Sequence, residues 1–80
     1  MSKVKVYGAD WCGDTKRSRR LLERLGVAYD YINLEEDTQA AEWVKQQNNG
    51  KEQKPTILVG DQVLSVPSDE ELEKAVSSGQ

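Results

Sequence analysis

Only one side chain in this sequence is suited to thiol chemistry. Its 80 residues include a single cysteine, Cys12, and no histidine. Acid–base catalysis by an imidazole is therefore excluded, and one thiol cannot form a disulfide within the chain. Cysteine and histidine ligands are also too few for a closed zinc site, so no metal site is expected. Any thiol chemistry must go through Cys12.

The residues around Cys12 favour an ionised thiol. The segment 9–15, Ala-Asp-Trp-Cys-Gly-Asp-Thr, joins the first predicted strand to the first predicted helix, and ligands tend to bind where such strands end. A helix N-terminus stabilises a thiolate and can lower a cysteine pKa from ~8.5 to between about 3.5 and 7.5. Thr15, one turn further along, could donate a hydrogen bond to the thiolate or bond to local backbone. Gly13 allows a substrate to approach closely.

Charges near Cys12 act in both directions. Asp10 and Asp14 oppose ionisation, whereas five basic residues of the predicted helix favour it: Lys16, Arg17, Arg19, Arg20 and Arg24. A second interpretation stays open, because a lone cysteine often packs as a small apolar residue. The aspartates are then helix caps, Trp11 is a core aromatic residue, and the basic run is a solvated helix face or a docking surface for an acidic partner.

The elements that would position this segment alternate between strands and helices. Apolar and β-branched runs predict strands at 3–7, 28–34, 56–59 and 62–66. Apolar residues at helical spacing predict helices at 12–25, near 38–48 and after Ser68. The order β-α-β-α-β-β-α predicts an α/β fold with a four-stranded mixed sheet and three helices. A right-handed crossover makes the first two strands parallel, and the turn at Gly60-Asp61 makes the last two antiparallel.

Particular residues mark the ends and inner faces of these helices. The first is predicted to end at a left-handed Gly26, the second to begin at a cap from Asp37 or Thr38, and the third at a capping box from Ser68 to Glu71. The predicted buried faces are Ser18, Leu21, Leu22 and Leu25 on the first helix, Ala40, Ala41, Trp43 and Val44 on the second, and Leu72, Ala75 and Val76 on the third.

Length and charge limit the class of function. Eighty residues predict one domain over 1–80, with a frayed tail at 77–80. A net charge of −3 suits a globular domain and lacks the basic surplus of a general nucleic-acid binder. No apolar run approaches the ~20 residues of a membrane span, and the N-terminus does not resemble a signal peptide. A cytoplasmic protein with no membrane partner is therefore expected.

Several of these features together resemble the glutaredoxin family. They are the sequence Tyr7-Gly8-x-x-Trp11-Cys12-x-x-Thr15 between a strand and a helix, Lys54-Pro55-Thr56 entering a hairpin, and the capped last helix. The resemblance covers about residues 3–76. It is closest to short bacterial glutaredoxin-like and mycoredoxin-like proteins with a Trp-Cys-Gly-Asp-Cys type of active site. It implies a thioredoxin fold and thiol–disulfide exchange by a monomer.

The resemblance also assigns roles to individual residues. Cys12 matches the nucleophile, and Pro55 matches a cis-proline that faces the sulfur and shapes the substrate slot. The backbone of Lys54 would pair with a substrate, as one strand pairs with another. The start of the last helix, with Ser68 and Asp69, could hold the carboxylate and amine of a small thiol. Three further residues complete the predicted substrate-binding set: Trp11, Gly13 and Asp14.

Four departures from the family pattern matter. Thr15 replaces the resolving cysteine, which excludes a dithiol mechanism in this chain. Ala9 stands where the family has a lysine, and Val66-Pro67 replaces a Gly-Gly pair; both favour a thiol other than glutathione or an altered specificity. Lys54 replaces the usual valine before the cis-proline.

The leading hypothesis is a monothiol oxidoreductase of cell redox homeostasis. Cys12 would reduce protein–small-thiol mixed disulfides, with Thr15 stabilising its thiolate and with glutathione, mycothiol or bacillithiol as co-substrate. Its partners are then a small thiol and disulfide-containing proteins, with no tightly bound cofactor.

Two functions other than a monothiol oxidoreductase stay open. The first is a redox-inactive binding module of the same fold, which the loss of the resolving cysteine to Thr15 motivates. The second is a dimeric carrier of a [2Fe–2S] cluster, although such carriers usually have Cys-Gly-Phe-Ser and Asp14 replaces that aromatic residue. Thr15 could also be an engineered replacement, for which serine or alanine is the usual choice.

Overall fold

The elements of the protein follow the predicted order. The computed structural model describes residues 3–78. Within them the order is β1 (Val4–Gly8), α1 (Gly13–Arg24), β2 (Asp30–Asn33), α2 (Thr38–Gln47), β3 (Thr56–Val59), β4 (Gln62–Ser65) and α3 (Asp69–Ser78). The predicted four-stranded mixed sheet with three helices is confirmed for this part of the chain.

The sheet order brings two distant loops together. The strands lie in the order β2-β1-β3-β4. β1 is parallel to β2 and antiparallel to β3, with Tyr7 opposite Thr56. Because β1 and β3 run in opposite directions, the chain leaving β1 toward Cys12 lies beside the chain entering β3 from Pro55.

The main core lies between the sheet and the pair α1 and α3. Alternate residues of a strand point to one face of the sheet, and here Val4 and Val6 of β1 face this core. It consists of Val4, Val6, Leu21, Leu22, Ile57, Val59, Leu72, Ala75 and Val76. Burial of these apolar side chains stabilises the packing of α1 against the sheet, by about 25 cal/mol for each Å² of apolar surface removed from water. On the opposite face, the ring of Tyr7 stacks on Trp43 of α2, with centroids 4.8 Å apart.

The predicted helix ends are confirmed. Gly26 has φ 72°, a left-handed conformation that suits glycine. The Asp37 carboxylate accepts a hydrogen bond from the Ala40 N–H at 2.9 Å. At the start of α3, the Glu71 N–H donates to Ser68 Oγ at 3.1 Å and the Ser68 N–H donates to Glu71 Oε1 at 2.9 Å. The capping box fixes where α3 begins, beside the thiol segment.

Two predicted positions in the core and in a strand are wrong. Leu25 is 38% exposed and caps the end of α1. The chain turns back at Gly26, so Val27 packs against the core in its place. The sequence predicts Val66 in the last strand, but its φ of 47° takes the chain out of β4, which ends at Ser65.

The remaining element boundaries differ by a few residues. β2 is shorter than the predicted 28–34, because only Asp30–Asn33 pair with β1. α3 extends through Ser78, two residues into the tail expected to be frayed, and residues 79 and 80 lie outside the described part. In the chain from residue 3 to 78, each helix is too short or too polar to cross a membrane.

Candidate active site

Cys12 lies at the N-terminus of α1, as predicted. It is the N-cap residue, with an extended backbone (φ −81°, ψ 119°), and its side chain makes no capping hydrogen bond. Its N–H donates to the Ala9 carbonyl at 3.1 Å, and its carbonyl accepts from the Lys16 N–H at 3.0 Å. The backbone is therefore held on both sides while the half-buried sulfur stays available for reaction.

The loop before β3 supplies the other wall of the site. The Lys54–Pro55 peptide bond is cis, which confirms the bond geometry expected from the resemblance. The thiol of Cys12 donates to the Lys54 carbonyl, with a distance of 3.8 Å between sulfur and oxygen. The Val66 N–H donates to the Pro55 carbonyl at 2.8 Å, which ties this loop to the segment after β4.

The donor groups around the sulfur together outweigh its burial in setting the pKa of Cys12. Burial is the largest single influence and raises the pKa of the thiol, whereas the Thr15 hydroxyl and the N–H groups of Thr15 and Asp14, which can donate to a thiolate, together lower it. The charge of the Asp14 carboxylate raises it. The net result is a pKa below the ordinary value for cysteine, because several donors at the start of α1 stabilise the thiolate. This arrangement favours a nucleophilic sulfur over an inert one.

Thr15 is fully buried between the sulfur and β1. Its Oγ1 accepts a hydrogen bond from the Ala9 N–H at 3.4 Å. A hydroxyl both accepts and donates, so its proton remains available to Cys12. Gly8 provides the room, since a Cβ added there would lie 2.4 Å from Thr15 Oγ1.

Trp11 forms an exposed wall beside the site. Its side chain is 63% exposed, so the interpretation as a core residue is wrong. The indole N–H donates to the Glu35 carboxylate, and Lys54 Nζ lies 5.6 Å from the centroid of the ring. Lys54 also pairs with Glu52 at 3.7 Å. Sequence reasoning missed Glu35, because no local pattern joins it to a residue 24 positions away.

Arg17 joins the start of α1 to the start of α3. Its guanidinium pairs with Asp14 at 3.0 Å and with Asp69 at 3.3 Å, and it donates to the Pro67 carbonyl at 3.4 Å. In the sequence, Arg17 stands out only as a member of the basic run. Its spacing of three from Asp14 signals the first contact, but the contact with Asp69 depends on how the helices pack. Gly13 is exposed, and a Cβ added to it would have no neighbour within 4 Å.

The rest of the basic run is not one uniform solvated face. The Arg19 guanidinium lies 3.8 Å from the centroid of the Tyr31 ring and donates to the Tyr29 hydroxyl at 3.1 Å. Tyr31 in turn donates to Asp10 at 2.7 Å, and burial, together with that carboxylate, raises the pKa of Tyr31 to about 12. Arg19 thus braces α1 against β2.

Of the predicted site residues, the structure therefore places the Thr15 side chain and the Lys54 carbonyl at the Cys12 sulfur, and the cis bond joins Lys54 to Pro55. Trp11, Gly13 and Asp14 surround the sulfur as neighbours in the chain. Ser68 and Asp69 stand at the start of α3, where the Ser68 side chain is used in the capping box and Asp69 is held by Arg17.

The family of the chain follows from comparison with known proteins. A sequence model of the glutaredoxin family matches residues 4–64. The chain belongs to the glutaredoxin family. It is 42% identical to mycoredoxin 1 of Corynebacterium glutamicum over 62 residues, which are 76% of this chain and 75% of that protein.

Solved structures place this glutaredoxin-family chain in the thioredoxin fold. A glutaredoxin from Archaeoglobus fulgidus superposes with a TM-score of 0.83 at 25% identity, over 95% of this chain and 87% of that one. The glutaredoxin-like protein NrdH-redoxin from Escherichia coli superposes with a TM-score of 0.79 at 24% identity, over 89% of this chain and 91% of that one. The resemblance to glutaredoxins and the predicted thioredoxin fold are confirmed.

Proposed function

We propose that this chain is a monothiol glutaredoxin that reduces mixed disulfides between proteins and a small thiol. The observation that carries the proposal is the sulfur of Cys12 at the start of α1, with its pKa lowered by hydrogen bonds and with the Lys54 carbonyl 3.8 Å away. A half-buried thiol whose pKa is lowered suits nucleophilic attack on a disulfide. The single cysteine of the chain limits the reaction to a monothiol route.

The proposed cycle needs two exchange steps. The Cys12 thiolate attacks the small-thiol sulfur of the mixed disulfide. A new disulfide forms between Cys12 and the small thiol, the original disulfide breaks, and the target protein leaves as a thiolate that takes a proton from water. A second small thiolate then attacks the small-thiol sulfur on Cys12, which releases the Cys12 thiolate and a symmetrical small disulfide. Only one cysteine of this chain takes part in these steps.

The residues around the sulfur have separate roles in this proposal. Thr15 stabilises the Cys12 thiolate in both steps, as nucleophile and then as leaving group. The Lys54 backbone pairs with the substrate next to Pro55, which shapes the slot. Trp11 forms a wall and Gly13 leaves the approach open. Asp14, Ser68 and Asp69 line the side on which the small-thiol part would bind.

Mycothiol is the small thiol that the comparisons support best. The support is the 42% identity to a protein named mycoredoxin 1. Glutathione and bacillithiol are the competing co-substrates. The position three residues before Cys12 is the buried Ala9, which offers no charge to a carboxylate of a small thiol.

Turnover of a defined mixed disulfide tests the proposal. A model protein thiol blocked with each small thiol in turn is mixed with the chain and an excess of the same thiol, and release of the protein thiol is followed. Turnover should be fastest with mycothiol and absent in Cys12→Ser. Thr15→Ser keeps the hydroxyl and should remain active, so it serves as the matched control. Full activity in Cys12→Ser, or no turnover with any small thiol, would refute the proposal.

Two further measurements separate the alternatives. A redox-inactive binding module would show slow alkylation of Cys12 and an ordinary cysteine pKa, which disagrees with the donors around this sulfur. A [2Fe–2S] carrier would develop a visible absorption spectrum on anaerobic reconstitution with iron, sulfide and a small thiol.

A further inference from the structure

Arg17 lies between two carboxylates beside the thiol. It is five residues after Cys12 on α1, and its guanidinium contacts Asp14 at 3.0 Å and Asp69 at 3.3 Å. Its donation to the Pro67 carbonyl at 3.4 Å holds it in this position. A planar guanidinium can satisfy several oxygen acceptors in fixed directions, which one ammonium group does less well.

The surroundings of Arg17 are strongly acidic. The first turn of α3 carries Asp69, Glu70 and Glu71, and the first turn of α1 carries Asp14. Without a cation between them, Asp14 and Asp69 would leave uncompensated negative charge at the starts of α1 and α3. Negative charge near a thiol disfavours the thiolate and attracts cationic reactants. Asp14 already acts on Cys12 in this sense, since its charge raises the pKa of the thiol.

We propose that Arg17 is a specificity-determining residue of the Cys12 site, which neutralises Asp14 and Asp69 and so favours neutral or anionic small-thiol groups over cationic ones. The inference deepens the proposed function and rests on it, because it concerns the small-thiol half of the substrate. It predicts that a disulfide with free amines reacts poorly unless Arg17 is removed.

Exchange with two small disulfides of opposite charge tests the inference directly. The reduced full-length protein is mixed with cystamine, which carries two ammonium groups, or with dithiodiglycolate, which carries two carboxylates. The Cys12 thiolate attacks one sulfur, a new disulfide forms, the old one breaks, and the other half leaves as a thiolate. Mass spectrometry follows the mixed disulfide on Cys12, and the result is the ratio of the two rates.

Two of the variants remove the same charge at different places on α1, and a third keeps the charge at residue 17. In Arg17→Gln the ratio of cystamine to dithiodiglycolate rates should rise by about two- to fivefold, the scale of a partly exposed ion pair, and fall again with added salt. Arg24→Gln removes the same charge from the last turn of α1, about 18 Å along the helix from Cys12, and should leave the ratio nearly unchanged. Arg17→Lys keeps the charge and should stay near the wild-type ratio. An unchanged ratio in Arg17→Gln, or an equal change in Arg24→Gln, would overturn the inference.

A pH profile shows whether Arg17 acts through Asp14. Alkylation with the neutral reagent iodoacetamide should give a higher Cys12 pKa in Arg17→Gln than in wild type. Adding Asp14→Asn to that variant should lower the pKa again, which a merely structural loss would not do. If this double variant keeps the raised pKa, the proposed route through Asp14 is wrong.

The two proposals can fail separately. The probe reactions need no turnover, so an altered rate ratio in Arg17→Gln with no mixed-disulfide reductase activity would refute only the proposed function. Normal turnover with an unaltered ratio would refute only the role of Arg17.

Discussion

Replacing Gly8 with alanine tests whether the packing of Thr15 holds the thiol site in place. The new Cβ would lie 2.4 Å from Thr15 Oγ1, 2.6 Å from Cγ2 and 3.0 Å from Cβ. Thr15 is fully buried in the first turn of α1, so it cannot swing into solvent. Overpacking of this kind typically lowers the free energy of unfolding by about 1–3 kcal/mol, and we expect a loss in the upper half of that range. At 4–8 °C per kcal/mol, a loss of about 2 kcal/mol lowers Tm by about 8–16 °C in a domain of this size.

Thermal and urea unfolding, followed by circular dichroism, measure this loss against a matched control. Gly13→Ala adds the same methyl group at the first residue of α1, where nothing lies within 4 Å of the new atom. Its stability should stay within about 0.5 kcal/mol of wild type. In Gly8→Ala/Thr15→Ala the clashing Oγ1 and Cγ2 are gone, so the double variant should lose about 1–2 kcal/mol less than the sum of the single losses.

The same substitution has a chemical readout. Displacing the Thr15 hydroxyl removes a donor from the thiolate, so the Cys12 pKa should rise in Gly8→Ala and stay low in Gly13→Ala. The reasoning fails if Gly8→Ala is as stable as Gly13→Ala and alkylates with the same pH profile. Additive losses in the double variant would mean that the destabilisation arises elsewhere.

Substitutions of Thr15, Ser18 and Tyr31 test the contributions of three individual side chains. Thr15→Val should raise the Cys12 pKa, because the sulfur stays half-buried and loses a hydroxyl donor, whereas Thr15→Ser should keep the pKa low. Identical pH profiles of Cys12 alkylation in the two variants would contradict this prediction. Ser18 Oγ is buried and has no hydrogen-bond partner within residues 3–78. Urea unfolding of Ser18→Ala should therefore show a free energy of unfolding that is unchanged or higher by up to about 1 kcal/mol. A clear loss of stability would contradict this prediction. The pKa of Tyr31 is raised from 10.0 to about 12, so its stabilising contribution is complete below pH 10 and is lost as the pH rises toward 12. Tyr31→Phe should therefore lose less stability over that interval than wild type, and equal losses would remove Tyr31 as the cause.

The limits of sequence reasoning appear at residues whose surroundings are not local. Leu25 continues a helical apolar pattern, yet the turn at Gly26 leaves it 38% exposed. Val66 has a residue type typical of strands, yet the return of the chain toward α3 gives it a φ of 47°. Trp11 could be interpreted as a core residue or a site residue, and its 63% exposure excludes the core. In each case the packing of neighbouring elements outweighed the preference of the residue itself.

The sequence by itself determined the order of the elements, the helix caps and the position of the only thiol at the start of α1, because these depend on residues within a turn or two of one another. It also determined that any dithiol route is closed, since the chain has one cysteine. Only the tertiary structure decided what surrounds that thiol. The Lys54 carbonyl is 42 residues from Cys12, the Pro67 carbonyl is 50 from Arg17, and the Glu35 carboxylate is 24 from Trp11. Such contacts arise because the pairing of β1 with β2 and with β3, together with the packing of α1 against α3, brings four loops to one end of the sheet. No local sequence pattern predicts that these loops meet.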